Sequence, residues 1–453
     1  MNKKWIGILT MLLSAITLCV PALINKFPFV YSDTGTYIYV GFTDDISWVR
    51  PTLYGIFMRH ASLKESLWFV IFAQALITVW FVRRFSETLF PRLPDFFSLL
   101  IIVFLTATTS IGVVTGMLMP DFTTVILIFA PAIVLYGQPT KWWNVILIYL
   151  GLWFALASHH SHAYIFVLIL ILLGLRSIIQ WKTTPRRTWI GFIPLVLALV
   201  IGHYTIPYIH YQRKGVFEAS KADNIFLVGR MNQMGLLKPF LDEKCPTHDF
   251  SICAYRDAIP SDFLWDGNSP ANKDGGWDVN NDRYAEVVKT FLNSPNYLKK
   301  AVVKTFETAA QQFFIFKTVQ LQVLKPNEWP QFVFATYLPD VMSSLQDSRQ
   351  HRGEWNDSTV NLLQHLLVFS SGLYLIYLFA YQRNYPVPAA HRHIGYLLLA
   401  GLLSNAFICG GISMIAPRFQ SRIIWLVPLT AFCLGYYHWE WQRRKRVLVR
   451  NAK

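Results

Sequence analysis

Runs without a single Asp, Glu, Lys or Arg constrain this chain more than any other feature. Residues 5–24, 97–114 and 394–409 are three of them. Each approaches the ~20 residues that an α-helix needs to cross ~30 Å of hydrocarbon at ~1.5 Å per residue. One such run would suit a buried core helix. The chain has ten apolar segments of this general kind, at 5–24, 67–82, 97–114, 122–137, 143–158, 163–175, 189–207, 360–381, 394–415 and 423–440. Composition agrees, with 53% hydrophobic and 15% charged residues, where soluble chains carry roughly a quarter charged. Lys3 and Lys4 match the start of a signal peptide, but no small-x-small cleavage site follows the apolar run, so the segment is read as a helix.

Basic residues set the orientation, because they accumulate on the cytoplasmic side. With the N-terminus inside, Lys3, Lys4, Arg83, Arg84, Arg92, Lys141, Arg176, Lys182, Arg186, Arg187, Arg383, Arg392, Arg443, Arg444, Lys445, Arg446, Arg450 and Lys453 face the cytoplasm, 18 in all. The opposite short loops hold Lys26, Arg50, Arg59, Lys64, Arg418 and Arg422, which is 6. The expected fold class is therefore an all-α polytopic membrane protein of about 10 transmembrane helices, both termini cytoplasmic, in a bacterial-type inner membrane. The net charge of +15 needs no nucleic-acid partner, since anionic headgroups of the cytoplasmic leaflet would hold most of it.

Two segments lie outside these spans. The first outer loop, 25–66, is too polar to span and too hydrophobic to be a free loop, so one or two interfacial helices are expected there. A second segment, 208–359, is long enough for a small, mostly helical extracytoplasmic domain. Its stretch "DGNSPANKDGGWDVNND" reads as loop, and 284–324 reads as helix interrupted at "NSPNY". The chain thus divides into an N-terminal transmembrane module (1–207), the domain (208–359) and a C-terminal transmembrane module (360–453). Cys19, Cys409 and Cys433 fall in spans as small apolar residues. Cys245 and Cys253 fall in the outer domain, where an oxidising compartment favours a disulfide. A zinc site there would need four ligands, and only His248 lies between the two cysteines.

Charges at a membrane boundary are costly unless they have a use, and four clusters sit on the outer side. Asp33, in "FVYSDTGTYIYVG", is either a general base or cation ligand, or the cap of an interfacial helix. Asp121, in "GMLMPDFTT", follows a proline between spans three and four, where a helix cap is the ordinary use. His159, His160 and His162, in "SHHSHAY", could bind metal, donate to phosphate or shuttle protons, or simply supply interfacial polarity. Arg418 and Arg422, in "APRFQSRIIWLVP", are spaced i,i+4 against the positive-inside trend. They suit a phosphate or pyrophosphate better than a pair of snorkelling anchors. Arg50, in "WVRPTLYG", is a further candidate for the same anion.

An early Asp after the first helix, a second Asp between spans three and four, and arginines ahead of a late helix together resemble the GT-C class of integral-membrane glycosyltransferases. The residues carrying the likeness are Asp33 in "YSDTGTY", Arg50 in "VRPTLYG", Asp121 in "MPDFTT", and Arg418 with Arg422 in "PRFQSR". The likeness covers the N-terminal half well and the C-terminal spans loosely. No Asp-x-Asp pair occurs in the first loop; Asp44 and Asp45 are adjacent. The resemblance implies a lipid-linked sugar donor, typically polyprenyl phosphate, and a glycan, lipid or protein acceptor. Asp33 would serve as base, and Arg418, Arg422 and Arg50 with His160 or His162 would hold the donor phosphate. Asp121 would assist Asp33 or, with Asp33 and His159, hold a divalent cation (Mg or Mn). The rival readings are a polymerase or ligase of lipid-linked polysaccharide, a lipid or solute transporter, and an acyl or phosphoryl transferase built on the histidines.

Overall fold

The computed structural model describes residues 3–451 apart from 92, 139, 319–320, 322–327 and 381–387. Arg92, Arg383 and Lys453, counted above for orientation, lie outside the described residues. Among the described residues 75% are helical and none forms a named strand. Six helices are long and apolar enough to cross a membrane: Trp5–Asn25, Leu67–Leu89, His160–Ile179, Arg186–Lys214, Ser358–Ala380 and Ala389–Ser413. Phe96–Thr108, Pro120–Tyr136 and Trp142–Ser158 are apolar but shorter, and the chain closes with the helix Leu426–Asn451. All ten expected segments contain helix. Large apolar side chains such as Leu13, Ile16, Ile179, Ile193 and Leu373 lie on the outside of the bundle. Such a surface is stable where lipid replaces water, so the molecule reads as a multi-pass membrane protein.

Two expected spans are broken where the sequence suggested continuous helices. The helix Asp95–Thr108 stops at Thr109, and Ile111–Thr115, Pro120–Thr123, Ile126–Pro131 and the π-wound turn Ala132–Tyr136 follow in place of one span. Irregular backbone away from water must be satisfied by the protein itself. Here buried amide side chains do that. Gln74 Nε2 donates to the carbonyls of Thr115 (2.7 Å) and Met117 (2.8 Å), and its Oε1 accepts from Tyr54 OH. Gln364 Oε1 accepts the Ser110 amide at 2.7 Å. Phe29 closes a single parallel bridge to Met117, donating to Gly116 O and accepting from Leu118 N, both at 2.9 Å. This bridge lays the segment before Asp33 along the segment before Asp121.

The first outer loop folds into two short helices, Thr34–Phe42 and Leu53–Ala61. They meet at Gly41 and Gly55, where a Cβ on Gly41 would stand 2.3 Å from the Gly55 carbonyl oxygen. Arg213, at the end of Arg186–Lys214, donates to the carbonyls of Val40 and Asp45, both at 2.7 Å, and Lys214 pairs with Asp45. The loop that carries Arg50 is thereby pinned to a membrane helix.

A second hydrophobic cluster, from Ile225 to Tyr297, is separate from the main core and forms the centre of the segment expected to be a domain. Cys245 and Cys253 are joined by a disulfide there, with Cα atoms 5.8 Å apart. The glycine- and asparagine-rich stretch expected to be loop holds the helix Gly276–Arg283; Asn280, fully inside, donates to three carbonyls and ties the turn to it. The interruption at "NSPNY" separates Ala285–Leu292 from the long helix Pro295–Phe314, as the proline at its first turn would dictate.

Candidate functional site

Four stretches far apart in sequence converge on one cluster of charge. Asp33 immediately precedes the helix Thr34–Phe42, but its side chain makes no capping bond to that helix. Instead its two oxygens are taken separately, Oδ1 by Arg50 Nη2 at 2.9 Å and Oδ2 by Arg418 Nη2 at 3.2 Å. Burial alone would push this carboxyl up, yet the two guanidiniums outweigh it and hold Asp33 below the ordinary carboxylate range. Arg418 is fixed from a third direction, with its guanidinium 4.2 Å from the centroid of the Tyr31 ring.

The second pair lies deeper. Arg422 is fully buried and donates to Asp121 Oδ1 at 3.2 Å, to Asn405 Oδ1 at 2.8 Å and to Cys409 Sγ at 3.2 Å. Arg418 and Arg422 lie one turn apart on the helix Pro417–Ile424, so each reaches its own aspartate from one face. Asp121 belongs to the short helix Pro120–Thr123, whose cap position is Met119. Neither aspartate therefore has the helix-capping role that the sequence left open. Tyr37, on the helix that follows Asp33, is fully buried and packs edge-on to Tyr54 at 4.9 Å.

Three guanidiniums stand against two carboxylates, which leaves one positive charge in excess. Several donors in the cluster are buried without a hydrogen-bond partner: Arg50 Nε, Arg418 Nε and Nη1, and Arg422 Nε. On the acceptor side Asp121 Oδ2 is likewise unpartnered. A buried unsatisfied donor costs about 1–3 kcal/mol, and more when charged. Unmet guanidinium donors gathered in this way could donate to the oxygens of an anion.

The histidines behave differently from expectation. His162 Nδ1 lies 2.7 Å from the Ala155 carbonyl and Nε2 lies 2.9 Å from Thr124 Oγ1. Both ring nitrogens are engaged by the protein, so His162 is not free to hold a phosphate; its work is to join two helices. His159 caps the helix His160–Ile179 by accepting from the Ser161 amide, and stacks on His162 at 5.0 Å. Of these three histidines, His160 is the one with a buried nitrogen, Nε2, that has no partner among the described residues. Nor do Asp33, Asp121 and His159 suit a divalent cation. Each carboxylate is already neutralised by arginine, and no group of three or more potential ligands is assembled among the described residues. A further charge of the same sign as the three guanidiniums would find little to attract it.

Tyr31, Tyr37 and Asn405 were not singled out in the sequence, and Cys409 was read there only as a small apolar residue. Asn405 carries the one available signal, a lone amide inside an apolar run, which is costly in lipid unless used. No protein-family model, curated protein or solved structure matches this chain.

Proposed function

We propose that this chain is an integral-membrane glycosyltransferase of the GT-C type, moving a sugar from a lipid-phosphate donor to an acceptor hydroxyl on the extracytoplasmic face. The observation that carries the reading is the convergence of Asp33, Arg50, Asp121, Arg418 and Arg422 from separate segments into one cluster with surplus buried guanidinium donors. A donor phosphate accepts those unpartnered donors. As the acceptor oxygen attacks the anomeric carbon, its proton passes to Asp33. The bond from the anomeric carbon to the phosphate oxygen breaks, and its electron pair stays on that oxygen. The arginines stabilise the charge that grows there, a contribution that rises toward the transition state and so accelerates the step. Asp121 and Arg422 keep the arginine-bearing helix in register from below.

A transporter would place its ionisable groups along a path between two repeats; here Asp33, Arg50, Asp121, Arg418 and Arg422 gather in one cluster instead. The test uses purified protein, a radiolabelled polyprenyl-phosphate sugar and the glycolipids of the source membrane as acceptors. Asp33→Asn should abolish transfer, a loss of at least about a hundredfold for a missing general base, with its chromatographic profile and helical content unchanged. Transfer at the native rate by that variant would remove Asp33 from the mechanism. Substrate uptake into liposomes without a covalent product would favour the transporter.

A further inference from the structure

A carboxylate held by two guanidiniums is a poor proton acceptor, because protonation must break both ion pairs. The same guanidiniums are those a donor phosphate would use. We infer that Asp33 occupies part of the oxyanion site as its resident competitor, and that a phosphate-bearing ligand must displace it from Arg50 and Arg418 before it can accept a proton. This deepens the reading above and rests on it for the identity of the donor.

The geometry says which partner moves. The Arg418 guanidinium lies 4.2 Å from the Tyr31 ring centroid and 5.0 Å from that of Phe419. Its helix is fastened through its first turn. Gln312 holds Ala416 by two hydrogen bonds, at 2.8 and 2.9 Å, and Asn405 donates to the Phe419 carbonyl at 2.6 Å. Arg50 is likewise tied back, its Nη1 donating to its neighbour's carbonyl, that of Val49, at 2.9 Å. Asp33 has no such anchor. Its side chain makes no capping bond, and its only side-chain partners are the two arginines. A side chain with no anchor beyond the two guanidiniums, among partners that are tied to other groups as well, is the one that yields.

Charge makes the exchange favourable. A phosphate presents more acceptor oxygens than a carboxylate, so it can reach the donors on Arg418 Nε and Nη1 and on Arg50 Nε that Asp33 leaves unmet. After displacement the carboxylate no longer has a guanidinium on each oxygen, and its basicity rises at the moment the donor is seated. The order of events follows. Donor comes first, the base is released second, and the acceptor loses its proton last. A chain loaded with acceptor alone keeps Asp33 ion-paired and inert.

Inorganic pyrophosphate serves as the probe, with full-length protein in phosphatidylcholine nanodiscs. Asp33→Asn removes the competing charge but keeps the shape, so it should bind pyrophosphate more tightly than the native chain by about tenfold, the worth of one charged hydrogen bond. Arg418→Lys should bind it more weakly by a similar factor. Asp45→Asn, at a carboxylate paired with Lys214 away from the cluster, should bind as the native chain does. Equal or weaker binding by folded Asp33→Asn overturns the inference. A second measurement uses the native chain, so that misfolding of a variant cannot hide the answer. A membrane-permeant carbodiimide labels protonated carboxyls, and peptide mass spectrometry reads the labelling of Asp33. Pyrophosphate should increase that labelling several-fold; unchanged or reduced labelling sinks the displacement. If both measurements behave as expected but no sugar is transferred, the displacement stands and the glycosyltransferase reading falls. If transfer occurs while pyrophosphate leaves Asp33 untouched, the reverse holds.

Discussion

At the scale of single residues, Arg422 and Asp121 show why a buried pair must be read as a unit. Arg422 is fully buried and Asp121 nearly so, and each would be intolerable without the other. Arg422→Met should cost about 3–5 kcal/mol, because it strands the Asp121 carboxylate away from water. The double variant Arg422→Met with Asp121→Asn should recover much of that loss. Thermal unfolding in detergent checks both, and a double variant no more stable than the single one would show the pair to be uncoupled. Asp33 lends itself to a pH experiment. Its folded pKa is depressed, with burial opposing and Arg50 and Arg418 prevailing. The stability it contributes is therefore fully present above the unfolded value of about 3.9 and is lost as pH falls through the folded value. Asp33→Asn should flatten the acid limb of the stability profile below about pH 4, measured by unfolding midpoints; an unchanged limb would mean that other carboxylates set it. The individual residues of the cluster were legible in the sequence because an idle charge at a membrane boundary is expensive. Their pairing was not. Asp33 is 385 residues from Arg418, and no local pattern says which of three arginines takes which aspartate. His162 misled for a related reason, since a buried histidine with both nitrogens bonded looks in sequence like one that is free.

At the scale of elements, the helices were readable and their interruptions were not. Apolar runs announce that a segment lies in lipid, but they do not report where the helix inside one breaks. The break at Thr109 is stabilised by Gln364, 254 residues later, and Gln74 holds the irregular stretch around Thr115 and Met117. Both glutamines stand in plain view within apolar sequence, and their cost in lipid is the clue that was available. Gln74→Leu should therefore destabilise more than its removal of one polar group suggests, by about 1–3 kcal/mol for each carbonyl left unpaired. Hydrogen exchange should rise at 115–119 while Leu67–Leu89 itself stays protected; exchange confined to the substituted helix would refute the assignment. The loop helices make the same point through packing. Gly41 and Gly55 let Thr34–Phe42 lie directly on Leu53–Ala61, and that contact sets the distance between Asp33 and Arg50. Gly41→Ala puts a methyl into the Gly55 carbonyl, a clash that costs about 1–3 kcal/mol through forced backbone shifts. Transfer activity should fall with it although neither charged residue has changed, and native activity in that variant would show the loop to be compliant.

At the scale of the whole molecule, one buried arginine links the outer domain to the arginine-bearing helix. Arg230, on the domain helix Asp223–Gln233, lies almost wholly inside. Its guanidinium donates to the carbonyls of Gly410 (2.9 Å) and Gly411 (2.7 Å) and to Thr308 Oγ1 (2.6 Å). Those carbonyls belong to Phe407–Ser413, the loosely wound end of a membrane helix, where unpaired carbonyls and the helix dipole both favour a cation. Gly410 is also where Pro295–Phe314 approaches most closely, for a Cβ there would meet Gln312 Cβ at 2.2 Å. Gln312 in turn holds Ala416, two residues before Arg418. A continuous chain of contacts thus runs from the second core, through Arg230, the glycine pair and Gln312, to the turn that carries Arg418. Arg230→Met keeps the apolar length of the side chain and removes its donors, leaving two buried carbonyls without partners. The variant should lose about 1–3 kcal/mol per unsatisfied group, and exchange protection should drop at 305–314 and 407–416. The domain's own core from 225 to 297 should stay protected, because its packing does not depend on Arg230's charge. Pyrophosphate affinity at Arg418 should fall in parallel with the lost protection. Affinity that holds while protection is lost would separate the latch from the site.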